Sequence, residues 1–141
     1  MTKSIPAALW EWVAGCAEIA RLFFNFGGDG DGDTVIAPSG DTLLDDYIDG
    51  SQRRRYAFEL YRTLPLTTDP NDDGNVRMLE DVESVLQWVR EQDDNGNYPE
   101  FPDGCTIDSV SVLEDMNGYV SMVDQSTARY MIPMAITYIK E

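Results

Sequence analysis

Asp69, Asn71, Asp73, Gly74 and Glu80 are the residues whose types and spacing come nearest to a known chemistry. They satisfy the pattern D-x-[DN]-x-[DN]-G-x5-E, with apolar Val76 in the eighth position. Such a loop wraps calcium in short oxygen ligands, turns sharply at the glycine and closes with a bidentate glutamate. Two features stand against it. The residues before Asp69 read as a strand followed by Leu64-Pro65-Leu66, where a calcium hand needs a helix, and the chain has no second hand to pair with it. The other reading is a polar turn whose Asp and Asn oxygens satisfy the first N–H groups of the following helix. We read a capping turn and expect no cofactor, with calcium bound by Asp69, Asn71, Asp73 and Glu80 as the alternative. A second acidic run, GGDGDGD over residues 27–33, fails the same pattern because Thr34 stands where the loop glycine belongs and Gly40 at the closing position. It reads as a solvated turn.

Other chemistry is thinly supplied. The 141 residues include no His, which excludes Ser-His-Asp and Cys-His catalysis and His-ligated zinc. Carboxylate pairs of the glycosidase kind arise by chance among 26 Asp+Glu, so no catalytic residue is assigned and no enzyme is expected. Against those acids stand 10 Lys+Arg, a formal net charge of −16. A surface so acidic repels phosphate at long range and disfavours sequence-blind binding of nucleic acid.

Four of the ten basic residues, Arg53, Arg54, Arg55 and Arg62, fall close together. As a patch they suit carboxylates of a neighbouring subunit, or phosphate. They equally suit the balancing of the chain's own acid. We assign Arg53, Arg54 and Arg55 to an interface, with Asp45, Asp46, Asp49, Glu80, Asp81 and Glu83 as acidic counterparts. Alternation sends Arg53 and Arg55 to the solvent face and Arg54 to the end of the apolar face.

These side chains need elements to hold them. From about residue 6 to 24 the apolar positions 9, 12, 13, 16, 19, 20, 23 and 24 follow helical spacing, although Leu22 to Phe26 also suits a short strand. Thr34–Ala37 reads as a short strand closed by Pro38-Ser39-Gly40. A hairpin follows over about 43–61, turning at Asp49-Gly50, with Tyr56, Phe58 and Leu60 on one face. A helix over about 78–92 carries the stripe Val82, Val85, Leu86 and Val89, with Trp88 near its edge; Val85 and Trp88 are expected under Phe58 and Tyr130. Strands fill about 105–139, the last with Ala128, Tyr130, Ile132, Met134, Ile136 and Tyr138 on one face. Pro133 inside it predicts an open edge or a bulge. The order defines one α+β domain, a mainly antiparallel sheet with two helices packed on it.

No stretch is apolar for 18 residues, so no membrane span is expected. Val13-Ala14-Gly15-Cys16 looks like a lipoprotein cleavage site, but Glu11 lies inside the would-be signal core. Cys16 and Cys105 read as two reduced thiols.

From Tyr47 onward the chain resembles a known family. Tyr47-Ile-Asp-Gly-Ser51, the run Arg55 to Arg62, Val85-Leu-Gln-Trp88, Gly96-Asn-Tyr-Pro99, Gly118-Tyr119 and Thr127-Ala-Arg-Tyr130 follow, in order and spacing, the minor capsid or tail-terminator proteins of tailed phages and prophages of Gram-positive bacteria. The N-terminal helix agrees in position; the acidic stretch from Thr67 to Asn75 departs from the pattern. The resemblance implies a tail-terminator-like fold and a structural role in virion assembly and head–tail joining. It implies a ring, a hexamer on the tail, that contacts tail-tube and head-connector proteins while DNA passes unbound through its lumen. It places the protein in the virion and, during assembly, in the host cytoplasm.

Overall fold

A computed structural model describes residues 4–17, 19, 21–25, 33–65, 74–112, 120–122 and 127–141. The elements are α1 (Ile5–Ala14), β1 (Arg21–Phe24), β2 (Asp33–Asp46), β3 (Gln52–Pro65), α2 (Gly74–Asn95), β4 (Cys105–Val112), β5 (Val120–Met122) and β6 (Thr127–Lys140). The strands form one sheet in the order β1-β2-β3-β6-β4, with β5 beside β4 on the same flank of β6. All pairs are antiparallel except β1–β2. The α+β class and the two helices agree with the reading of the sequence.

The spine is β3 against β6, paired without interruption from Gln52↔Lys140 to Pro65↔Thr127. Because side chains alternate along a strand, one face collects Phe58 and Leu60 with Ala128, Ile132, Met134, Ile136 and Tyr138, all buried. The same cluster takes Leu9 and Val13 from α1 and Val82, Val85, Leu86 and Val89 from α2. Both helices therefore cover one face of the sheet. Val85 lies among the same buried residues as Phe58 and Tyr130, as expected. Trp88 stands at the margin instead, its ring 4.9 Å from that of Trp12, whose indole N–H donates to Asn97 O at 2.8 Å.

Several boundaries differ from the expectations. The first helix ends at Ala14 rather than near 24. Ser4 caps its start by accepting from Ala7 N–H, and Gly15 and Cys16 close its end onto Trp12 and Val13 carbonyls. Arg21–Phe24 is then a strand, the alternative reading of that stretch, because aromatic side chains suit a pleated surface beside β2. β2 runs on through Pro38-Ser39-Gly40, joining what reads as two strands. Register shifts at Pro38/Gly40 and Leu43/Asp45 absorb the break, with Gly40 at φ 150°. The second helix extends to both sides of 78–92. Among the described residues Pro133 pairs with β3 and with no strand on the other flank of β6: β4 reaches Met134 and β5 begins at Tyr130. Within the described residues this agrees with an open edge rather than a bulge, since β3 and β6 pair without a register shift there. Among the described residues no helix is long and apolar enough to cross a membrane.

Candidate functional site

The arginine segment lies at the start of β3, next to the hairpin turn. Arg53, side chain 39% exposed, faces Asp45 of β2 at 3.7 Å and Asp108 of β4 at 3.6 Å. It spans β6 to link two strands of its own chain. Arg54 points to the helix-covered face, as alternation requires, and donates from Nε to Asp41 Oδ1 at 3.0 Å and from Nη1 to Gln52 Oε1 at 2.8 Å. The other Asp41 oxygen accepts from Tyr138 Oη at 2.6 Å. Burial first, and then that hydrogen bond, pushes the Tyr138 phenol well above its ordinary pKa. Arg55 differs from both. It shares the solvent face with Arg53, is exposed there, and has no ionic partner among the described residues.

Arg62, read with the others as a patch, sits apart from them. At the far end of β3 it is 2% exposed, grips both carboxylate oxygens of Asp81 in α2, and donates to Thr34 Oγ1 at 2.8 Å. A buried fork of this kind fastens the helix to the sheet. Asp81 is thereby used within the chain, as is Asp45. Of the other acidic counterparts, Asp46 and Asp49 are exposed at the hairpin, and Glu80 and Glu83 are exposed on α2, where with Trp88, Arg90 and Glu91 they line a shallow groove of about 670 Å³.

Asp69, Asn71 and Asp73 lie outside the described residues. Around them β3 runs to Pro65 and α2 starts at Gly74, so a strand and a helix flank the segment where a calcium hand has two helices. Among the described residues no three His, Cys, Asp or Glu side chains gather as a metal site would need. Cys16 is buried and Cys105 half-buried; the two are not joined in a disulfide, and burial raises the Cys105 thiol pKa, away from nucleophilic use.

Among the described residues the most exposed apolar surface was not foreseen. Every residue from Ser39 to Gly50 is exposed, and among them are Leu43, Leu44, Tyr47 and Ile48. Tyr47 N–H donates to Ser51 O and Gly50 N–H to Tyr47 O, while Asp49 accepts from both the N–H and the hydroxyl of Ser51. Those bonds hold the Asp49 carboxyl below its usual pKa. The signal lay in the sequence: Tyr-Ile occupies a turn where Asn, Asp, Gly or Ser would serve.

No family model matches the chain, and no curated protein matches it in sequence.

Proposed function

We propose that this protein is a structural component of a tailed-phage virion, a tail terminator at the head–tail junction that works by ring assembly on the tail tube. The observation that carries the reading is the β2–β3 hairpin. An ordered, hydrogen-bonded turn presents Tyr47 and Ile48 to solvent between the exposed Asp46 and Asp49, on a sheet stiffened by 14-residue strands. Exposed apolar groups rimmed by charge mark surfaces that dock proteins. The net charge of −16 suits a ring through which DNA slides, because an acidic lumen repels phosphate. The role is non-enzymatic, and the order of motifs from Tyr47 to Tyr138 points the same way.

Immunogold electron microscopy of phage particles tests the proposal. Antibody against the chain should label one spot between head and tail. Labelling of the capsid shell, or of no particle, would contradict the assignment. The genes on either side give a second check, since portal, capsid and tail-tube genes should flank this one.

A further inference from the structure

Both helices cover the Phe58 face of the sheet, and among the described residues no helix lies on the other face. Alternation along β3 puts Arg53, Arg55, Ala57, Glu59 and Tyr61 on that second face. There Ala37, Ala57, Tyr61, Met131, Pro133 and Ile139 keep part of their surface in water, although Val35 and Ala135 between them are buried. An apolar face of this breadth suits another protein better than solvent.

The charges on the face identify the occupant. Arg21 is matched by Asp33 at 3.3 Å, Arg53 by Asp45 and Asp108, and Arg129 lies over the Tyr61 ring at 5.7 Å. Two charges remain. Arg55 is exposed and Glu59 half-buried, and neither has an ionic partner among the described residues. They stand on one strand, two residues to either side of Ala57 and roughly 13 Å apart, and do not pair with each other. A plus and a minus placed evenly about one point match the same pattern turned end for end. A two-fold interface between identical chains requires that self-complementarity. The other exposed apolar groups lack it. Tyr47 and Ile48 lie between Asp46 and Asp49, Trp10 beside Glu11, and Val76 and Leu79 beside Glu80 and an Arg77 that is already engaged.

We infer that this protein pairs with a second copy of itself through the uncovered sheet face, in a two-fold dimer centred on Ala57. The axis lies between the sheets and across the strands, so that β3 of each copy runs over β3 of the other in reverse. Arg55 of each copy then meets Glu59 of the other. Ile139, level with Arg53, comes over Met131 of the second copy, level with Tyr61. An axis along the strands would set Arg55 on Arg55 instead. Sheets stacked face to face lie about 10 Å apart, a gap that an arginine and a glutamate span together. Four strands about 4.8 Å apart, taken from Arg53 to Tyr61, give a face of roughly 500 Å² per copy and about 1,000 Å² for the pair. That is the low end for a specific interface, so the dimer is weak. The inference goes beyond the assembly role proposed above and does not depend on it.

Sedimentation velocity on the full chain in about 0.15 M salt, where charges beyond about 8 Å are screened, tests the dimer. Wild type should form dimers, and nothing larger, between about 10 μM and 1 mM. Arg55→Glu sets glutamate against glutamate at both contacts, and Glu59→Arg sets arginine against arginine. Each should stay folded by circular dichroism and weaken dimerisation about tenfold or more. Glu59→Gln, nearly the same shape as the native side chain, should weaken it by a smaller factor. Mixed one to one, Arg55→Glu and Glu59→Arg should restore a particle of two chains, because both contacts in the mixed pair join opposite charges. The double variant Arg55→Glu with Glu59→Arg should dimerise as wild type does. Wild type still monomeric at about 1 mM, a single variant that dimerises like wild type, or a mixture and a double variant that both stay monomeric would each overturn the contact.

Discussion

Arg54 and Asp41 face each other across neighbouring strands at 3.0 Å, and Tyr138 holds the other oxygen of the same carboxylate. The middle arginine of the Arg53–Arg55 run is thus spent on joining β2, β3 and β6. Arg53 is engaged more loosely, by two carboxylates beyond 3.5 Å. Arg55 is left to face outward.

The three arginines should therefore respond differently to substitution. Arg54→Ala should lower the melting temperature, because it leaves Asp41 with Tyr138 alone. Arg55→Glu should leave the melting temperature unchanged and weaken association, with Arg53→Glu adding to the loss. An Arg55→Glu variant that unfolds, or one that associates as wild type does, would remove Arg55 from the interface. Thermal melts and light scattering on the same samples separate these outcomes.

Asp81 should be among the costliest polar residues to remove. Its loss takes away the carboxylate that α2 brings to the guanidinium of Arg62, itself 2% exposed. Breaking a buried pair in this way costs about 3–5 kcal/mol, and the 30% exposure of Asp81 places Asp81→Ala near the low end. Urea unfolding measures it. A loss below about 1 kcal/mol would mean that water reaches Arg62 freely.

Alkaline pH should unfold the protein. Burial raises the phenol pKa values of Tyr138, Tyr56 and Tyr130, and a hydrogen bond to Asp93 raises that of Tyr98. A raised folded pKa means stability that is complete below the unfolded value, about 10, and lost as pH climbs through the folded one. The melting temperature should hold between about pH 7 and 9 and then fall, with tyrosinate absorbance appearing together with unfolding. Tyr138→Phe should cost about 1–2 kcal/mol at neutral pH and flatten the alkaline fall. Stability unchanged above about pH 11 would contradict these assignments.

Calcium in the millimolar range should leave the melting temperature where it is, if the turn from Asp69 to Glu80 only caps α2. Ligand at 100 times its dissociation constant contributes about 2.7 kcal/mol, so real binding would be plain. A rise of several degrees that disappears in Asp73→Ala would establish the calcium reading instead.

Features that repeat locally were legible from the residues alone. The alternation from Ala128 to Tyr138 and the stripe Val82, Val85, Leu86, Val89 each describe one buried face, and those residues are buried. The end of α1 was not legible, because Cys16, Ile19, Phe23 and Phe24 continue the helical spacing that Gly15 and the pairing with β2 override. The three-way contact of Asp41, Arg54 and Tyr138 joins residues up to 97 positions apart, and no local pattern records it. Arg62 looked like its neighbours in the run; only the arrival of Asp81 from α2 makes it a buried fastener.

Tube length is the most direct measure of the central proposal. Tail-tube protein from the same phage should be polymerised with increasing amounts of this chain, and the lengths and ends of the tubes scored by negative-stain electron microscopy. The proposed role predicts that tubes stop growing and that one end of each carries a ring of this protein, six-fold in averaged views. Tubes that grow to the same lengths with bare ends, whatever the amount added, would contradict it.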